Sequence, residues 1–452
     1  MQDTLTGEAR QPLEVNGGFD VAPPCALPRR KPSPSWSSLV RQLEQQEEFS
    51  GKVLWWIFLY AAAAVATREP DLLTNPQFYG EGGSWYAEAY NLGWVHSLFL
   101  TAGGYFAFCP KLIVGLALFV PLSCAPLLMN VCGILIQAMP VPILLSSRSS
   151  NWGPLPMRLL MAIAYVALPN AGEIHVVLTN AQWHLALVAS LLLLAKPTAG
   201  WQGKVLDAGV FLLCGLTGPF CVVLLPVAAV VWWRARGKWS GFVCGLFLAT
   251  ATLEGISLLI GGLHERGQAP LGATPLLLAK MVAGQVYLGA LVGQNEVMSH
   301  AHLPAILLPL LIGTALMAWV FCKAGWELRL FILFCALLMA AELRSPLSDG
   351  PQPRWISLSH TTGGRYWFFP MLAFSWALIW CAAKGDFKPC KFLAMGGMVV
   401  MLCGEGREWK YPPFYDAKFG SYVRKLASVQ PGATVKIPIS PPGWSIDLKK
   451  KD

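Results

Sequence analysis

The sequence predicts an all-α polytopic membrane protein, and three observations carry that expectation. Hydrophobic residues make up 55% of the chain and charged residues only 13%. A soluble domain carries roughly 25% charge, and a chain this poor in charge could not cover a water-facing surface. The apolar residues also fall into runs that approach the ~20 residues needed to cross a bilayer core. Finally, the basic residues behind the net charge of +9 sit in short groups between those runs, as at Arg234 to Lys238, Lys384 to Lys391 and Lys449 to Lys451. That is how membrane spans are flanked. A nucleic-acid protein would gather the charge on one face, so the expected partner is a lipid bilayer and no nucleic acid.

The elements follow in order. Residues 1–50 are polar and Pro-rich, with Pro23-Pro24 and Arg29-Arg30-Lys31. They read as a disordered or surface tail, with a short polar helix from Ser38 to Ser50. No cleavable signal is visible, and the first span, Val53 to Thr67, is expected to act as an uncleaved anchor. Apolar runs follow at 93–109, 112–128, 131–147, 157–169 and 183–195. The run 205–233 is too long for one span. Thr217-Gly218-Pro219 interrupts it, where Pro removes a helix hydrogen bond and Gly loosens the turn, so a tight helical hairpin is expected. Further spans are expected at 241–262, 303–322, 326–343, 365–383 and 390–403, with an amphipathic helix from Thr274 to Leu291. Residues 51–403 thus form a domain of about 13 transmembrane helices. Residues 404–452 are too polar to span, and the alternation in Ala433–Ile439 predicts a short strand.

Basic residues set the orientation. With the N-terminus in the cytoplasm, alternation puts Arg148/Arg158, Lys196/Lys204, Arg234/Arg236/Lys238, Lys323/Arg329 and Lys384/Lys388/Lys391 on that side. The outside segments are then 68–91, 170–182, 263–302, 344–364 and 404–452. They hold most of the Glu, His, Asn, Gln and Trp that could do chemistry, so the working surface is expected outside. The twelve Cys show no CxxC and no metal-type spacing. Most lie in apolar runs, as Cys214 and Cys335 do, and read as small apolar residues.

Three segments could carry chemistry. The first outside loop reads Pro76-Gln-Phe-Tyr-Gly-Glu81-Gly-Gly-Ser-Trp85-Tyr-Ala-Glu88. Glycines let a ligand approach the Glu81 carboxylate closely, aromatics can stack on a sugar, and a carboxylate at a membrane face can act as a general base. The bland alternative is an interfacial aromatic belt. The second segment carries Glu173, His175, Asn180, Gln182 and His184, with Asn180 and His184 on one helix face. Such polar groups at a span entrance are costly unless they line a cavity, although Asn170 and Asn180 could simply cap helices. The third, Thr361-Thr-Gly-Gly-Arg365-Tyr366-Trp-Phe-Phe-Pro370, puts an Arg behind a Gly pair at a span entrance. A guanidinium there suits a phosphate, or snorkels from a helix end. Arg344, Arg354, His264, Arg266, His300 and His302 are weaker candidates in the outside loops.

Taken together, Asn75-Pro-Gln-Phe-Tyr-Gly-Glu-Gly-Gly, Asn180-Ala-Gln-Trp-His, Gly363-Gly-Arg-Tyr-Trp-Phe-Phe-Pro and the Pro-Pro-Gly-Trp444 tail resemble the GT-C superfamily of polytopic glycosyltransferases, in particular bacterial membrane proteins of that group. The likeness spans about residues 50–450, through short motifs. It implies a GT-C-like fold in a bacterial inner (cytoplasmic) membrane with an extracytoplasmic active site. It also implies a polyprenyl-phosphate-linked sugar as donor and a glycan, lipid or protein as acceptor. On it, Glu81 deprotonates or orients the acceptor hydroxyl and Arg365 stabilises the leaving phosphate, with Glu88, Glu173, His175, Asn180, Gln182, His184 and Tyr366 around the substrate. Many relatives carry two adjacent acidic residues in the first loop. Here Gly82 follows Glu81, which points to a metal-independent site with no cofactor.

Two other functions compete. A transporter or flippase calls for internal repeats and mid-membrane charge; no repeat is evident, and only Glu254 and Asp207 sit mid-span. A membrane O-acyltransferase needs a buried His with an Asn or Asp partner, a role open to His184 and Asn180.

Overall fold

In lipid every backbone polar group must be bonded internally, and a helix does this within one segment. The chain takes that solution almost throughout. The computed structural model describes residues 49–262, 269–294, 302–346, 352–359 and 364–451. The tail of residues 1–48, His264, Arg266, His300 and Thr361 to Gly363 lie outside the described residues.

Helix α1 (Gly51–Arg68) is capped by the Ser50 hydroxyl, which accepts from Val53 N–H. Next come α2 (Gly80–Leu92), α3 (Phe108–Ala117), α4 (Ala125–Leu145, restarted at Pro140), α5 (Leu155–Ala167) and α6 (Ala181–Leu194). Helices α7 (Trp201–Gly215) and α8 (Phe220–Ala235) form the expected hairpin around Gly218, whose φ is +80°. Then follow α9 (Lys238–Ser257), α10 (Pro275–Val292), α11 (Leu303–Lys323), α12 (Trp326–Arg344), α13 (Gly364–Lys384) and α14 (Lys388–Arg407). Among the described residues five of these, α4, α9, α10, α11 and α13, are long and apolar enough to cross a membrane. This is a multi-pass helical membrane protein. Helix α13 is the hub, with 78% of its apolar window buried against neighbours.

Three expectations change. The run 112–128 is not one span: α3 ends at Ala117 and turns over 118–124 separate it from α4. The run 93–109 is not a span. Gly103 and Gly104, both at positive φ, turn it into a small antiparallel hairpin of β1 (Thr101–Ala102) and β2 (Tyr105–Phe106), after a short helix Trp94–Leu98. Gly218 N–H bonds Phe106 O at 2.8 Å, and Phe108 N–H bonds Leu216 O at 3.0 Å, so the hairpin docks on the α7–α8 turn. Nor is 274–291 amphipathic. Helix α10 is apolar enough to count among the five, with a π-helical stretch Met281–Leu288 at its centre.

The C-terminal segment folds as helix α15 (Phe419–Ser428) and an antiparallel pair, β3 (Thr434–Ile439) and β4 (Trp444–Lys449). The expected strand is β3. Its inward residues Val435, Ile437 and Ile439 join Phe78, Trp85, Met129 and Ile446 in a core separate from the main bundle core. Docking against α2 is close: a Cβ on Gly83 would lie 2.7 Å from Ile439. Asn91 closes the contact by donating to Asp447 O and accepting from Lys449 N–H.

Buried cations are met by carbonyls at chain turns, where the partial charge is negative. Arg68 donates to Val166 O, Leu168 O, Glu408 O and Trp409 O, tying the end of α1 to the end of α5. The bundle's two ends also differ in kind. At one end Arg148 forms a fork onto Asp207 and bonds Lys196 O, Asn151 bonds Leu194 O and Glu327, and Arg234 lies over Trp326. These join the short basic loops. The polar, aromatic loops gather at the other.

Candidate functional site

At that second end lies a cavity of about 230 Å³. Its polar rim is Glu81, Tyr105, Asn180, Gln182, Glu342, Arg365 and Tyr366. Its floor is apolar, with Trp183, Phe220, Val223 and Leu338. Seven segments distant in sequence converge there: the starts of α2, α6, α8 and α13, the ends of α9 and α12, and strand β2.

Glu81 sits in the first turn of a helix rather than in a loop. The glycines that read as loop are held in place by tertiary contacts: Gly80 N–H bonds Ser440 O at 2.7 Å and Gly82 N–H bonds the Thr179 hydroxyl at 3.0 Å. Gly80 has φ +49°, a region glycine enters freely. An acidic residue in a first turn also complements the helix dipole. The C-terminal segment, through Ser440, thus helps to place the carboxylate.

Arg365 opens α13. Glu173 holds it twice: one carboxylate oxygen pairs with the guanidinium at 3.3 Å, and the other accepts the Arg365 backbone N–H at 3.1 Å. The guanidinium also donates to the Tyr366 hydroxyl at 3.5 Å. Asn180 donates to Glu173 O at 2.7 Å, so α6 and α13 are braced through Glu173. Gln182 donates to the Tyr105 hydroxyl at 3.5 Å. Burial pushes the Tyr105 phenol up, while the Gln182 bond and the charge of Arg365 pull it back. Burial also raises the Tyr79 phenol, and Glu173, Glu69 and Glu81 push it the same way, with Arg365 opposing.

Of the residues expected around a substrate, Glu81, Asn180, Gln182, Arg365 and Tyr366 line the cavity and Glu173 supports it. Three do not belong. Glu88 lies farther along α2, outside the cavity lining, where it pairs with the fully buried Lys111 at 3.1 Å. Seven residues beyond Glu81 it keeps nearly the same helix face but sits about two turns farther on, and only the first turn of α2 lines the cavity. His175 is buried with both ring nitrogens engaged, by Gln137 at 3.1 Å and Val65 O at 3.0 Å. Burial, with the Arg68 charge, holds it well below the usual imidazole range. His184 is likewise enclosed by the Tyr165 hydroxyl at 2.9 Å and Ile174 O at 3.0 Å. It does not meet Asn180, whose amide faces Glu173.

Two cavity residues escaped the sequence reading. Glu342 closes an apolar run and is followed by Arg344, so in sequence it looks like the flank of a span. An acid at the last turn of a span was the available signal. Tyr105 was absorbed into the run 93–109, and the Gly103-Gly104 pair was the sign of its turn. Among the described residues no three His, Cys, Asp or Glu group as metal ligands.

Fold and site together define a multi-pass helical protein with a polar cavity at the end of its bundle where the aromatic loops meet. No protein-family model matches the chain, and no curated protein matches it.

Proposed function

We propose that the protein is a metal-independent membrane glycosyltransferase of GT-C type, moving a sugar from a polyprenyl-phosphate donor to a glycan, lipid or protein acceptor. One observation carries the reading: Glu81 and Arg365, a carboxylate and a guanidinium, line one cavity at the mouth of an apolar bundle. In this mechanism Glu81 takes the proton of the acceptor hydroxyl. The hydroxyl oxygen attacks the anomeric carbon from the face opposite the phosphate, the C–O bond to phosphate breaks, and the configuration inverts. Arg365 stabilises the charge that develops on the leaving phosphate. Tyr366 and Glu173 hold the guanidinium in place, and Asn180, Gln182 and Tyr105 offer hydrogen bonds to sugar hydroxyls.

The setting proposed is a bacterial cytoplasmic membrane crossed many times, with the N-terminus inside and the cavity and residues 404–452 outside. The gathering of short basic loops at the end opposite the cavity supports this orientation. The acyltransferase alternative has less support, because both His184 ring nitrogens are occupied.

The test is glycan display in cells carrying Glu81→Gln or Arg365→Ala, with binding of polyprenyl phosphate to each purified variant. Glu81→Gln should abolish transfer and retain lipid binding; Arg365→Ala should weaken that binding. Full transfer by a folded Glu81→Gln protein overturns the base assignment. Flipping of lipid-linked sugar without transfer overturns the enzyme reading in favour of a transporter.

A further inference from the structure

Arg365 is the one cationic side chain lining the cavity among the described residues, and Glu173 already neutralises it. Glu81 and Glu342 line the same cavity and, among the described residues, have neither an ion-pair partner nor a side-chain hydrogen bond. Glu342 is half-buried on the last turn of α12, within electrostatic range of both Arg365 and Glu173. The cavity thus holds two carboxyl groups with no cationic partner among the described residues. An anionic phosphate entering alone would leave both carboxyl groups unmatched, and like charges repel strongly where water is scarce. A ligand that also carries a positive charge removes the conflict. The walls agree: Tyr105, Trp183, Phe220 and Tyr366 surround the cavity, and aromatic enclosures favour ammonium groups over anions.

We infer that the substrate filling this cavity carries a protonated primary amine, and that Glu342 receives it while Arg365 receives the phosphate. The inference rests on the glycosyl-transfer reading and narrows its substrate class. Three ammonium N–H donors suit a carboxylate that has no other partner. Glu81 is then left to the acceptor hydroxyl. The amine has two sources, the donor sugar or the acceptor.

The experiment uses the purified full-length protein in lipid nanodiscs and three donors that differ at one position: polyprenyl phosphate carrying glucosamine, N-acetylglucosamine or glucose. Affinities are read by competition at neutral pH, with ethanolamine as a separate amine probe. An amine in the donor gives glucosamine about a tenfold to hundredfold advantage, the range of one charge-assisted hydrogen bond. Glu342→Gln, which keeps shape and removes charge, should collapse the three affinities onto one value, and Glu342→Asp should keep their order. An amine in the acceptor gives equal affinity for the three donors and ethanolamine binding that Glu342→Gln removes. Equal donors with no ethanolamine binding, or a preference that survives Glu342→Gln, overturns the inference. Donors that bind without preference leave the glycosyltransferase reading standing. If none of the three binds, that reading falls with it.

Discussion

The pairing of Glu88 with Lys111 separates a structural carboxylate from a catalytic one by measurement. Lys111 lies on α3 with its side chain fully buried, and its ammonium donates to Glu88 at 3.1 Å, Ser97 O at 2.8 Å and Leu100 O at 2.9 Å. Glu88→Ala removes the one anion that pairs with Lys111 among the described residues and leaves two carbonyls. Breaking a buried ion pair from one side costs about 3–5 kcal/mol. Glu88 itself is 32% exposed and the two carbonyls remain, which brings the expected loss to about 2–3 kcal/mol. For a chain of this size that lowers the melting temperature on the order of 5 °C. The double variant Glu88→Ala/Lys111→Met removes the stranded charge along with its partner, so most of the loss should return, and a double-mutant cycle isolates the coupling. The assay is thermal unfolding in detergent, followed by size-exclusion of the folded fraction, with polyprenyl-phosphate binding measured below the transition. Binding should be unchanged in Glu88→Ala. An unchanged melting temperature with lost binding would place Glu88 at the substrate and refute the structural role.

Other outcomes follow from the same geometry. Gly133→Ala would drive a Cβ into the Val176 carbonyl, a backbone atom with little room to move, and should cost about 1–3 kcal/mol. Gly209→Ala on α7 meets nothing within 4 Å and should be neutral or stabilise by up to about 1 kcal/mol; thermal unfolding checks both. Glu69 is buried just after α1, and burial, then the charge of Asp71, pushes its carboxyl up to about 8. A raised acid is held protonated in the folded state, so its contribution is full below the unfolded value near 4.5 and is lost as pH rises through about 8. Melting temperature should fall across that window, and Glu69→Gln should flatten the decline. Arg365→Lys keeps the charge but loses the planar fork, so its affinity for polyprenyl phosphate should lie between those of wild type and Arg365→Ala.

The sequence by itself determined the solvent and most of the helices. Charge is too scarce for water, and apolar runs between basic groups admit few solutions but transmembrane helices, so α1, α5, α6 and α11 to α14 lie close to where the runs place them. The α7–α8 hairpin was equally legible, because Thr217-Gly218-Pro219 breaks a helix by local chemistry alone. Glu81 and Arg365 stood out because glycines and aromatics surround them. Other features needed the assembled molecule. Gly80 to Gly83 read as loop, yet Ser440, some 360 residues away, and Thr179 hold them in a helix. His184 and Asn180 share a helix face by spacing, but Tyr165 and Ile174 claim the ring while Glu173 claims the amide. Glu342 and Tyr105 enter the cavity only because the ends of α9 and α12 and the α7–α8 turn meet there. Spacing along one chain fixes what a segment can bury. Which carboxylate meets a guanidinium and which meets a buried lysine depends on long-range packing, and that is written in no single stretch of the sequence.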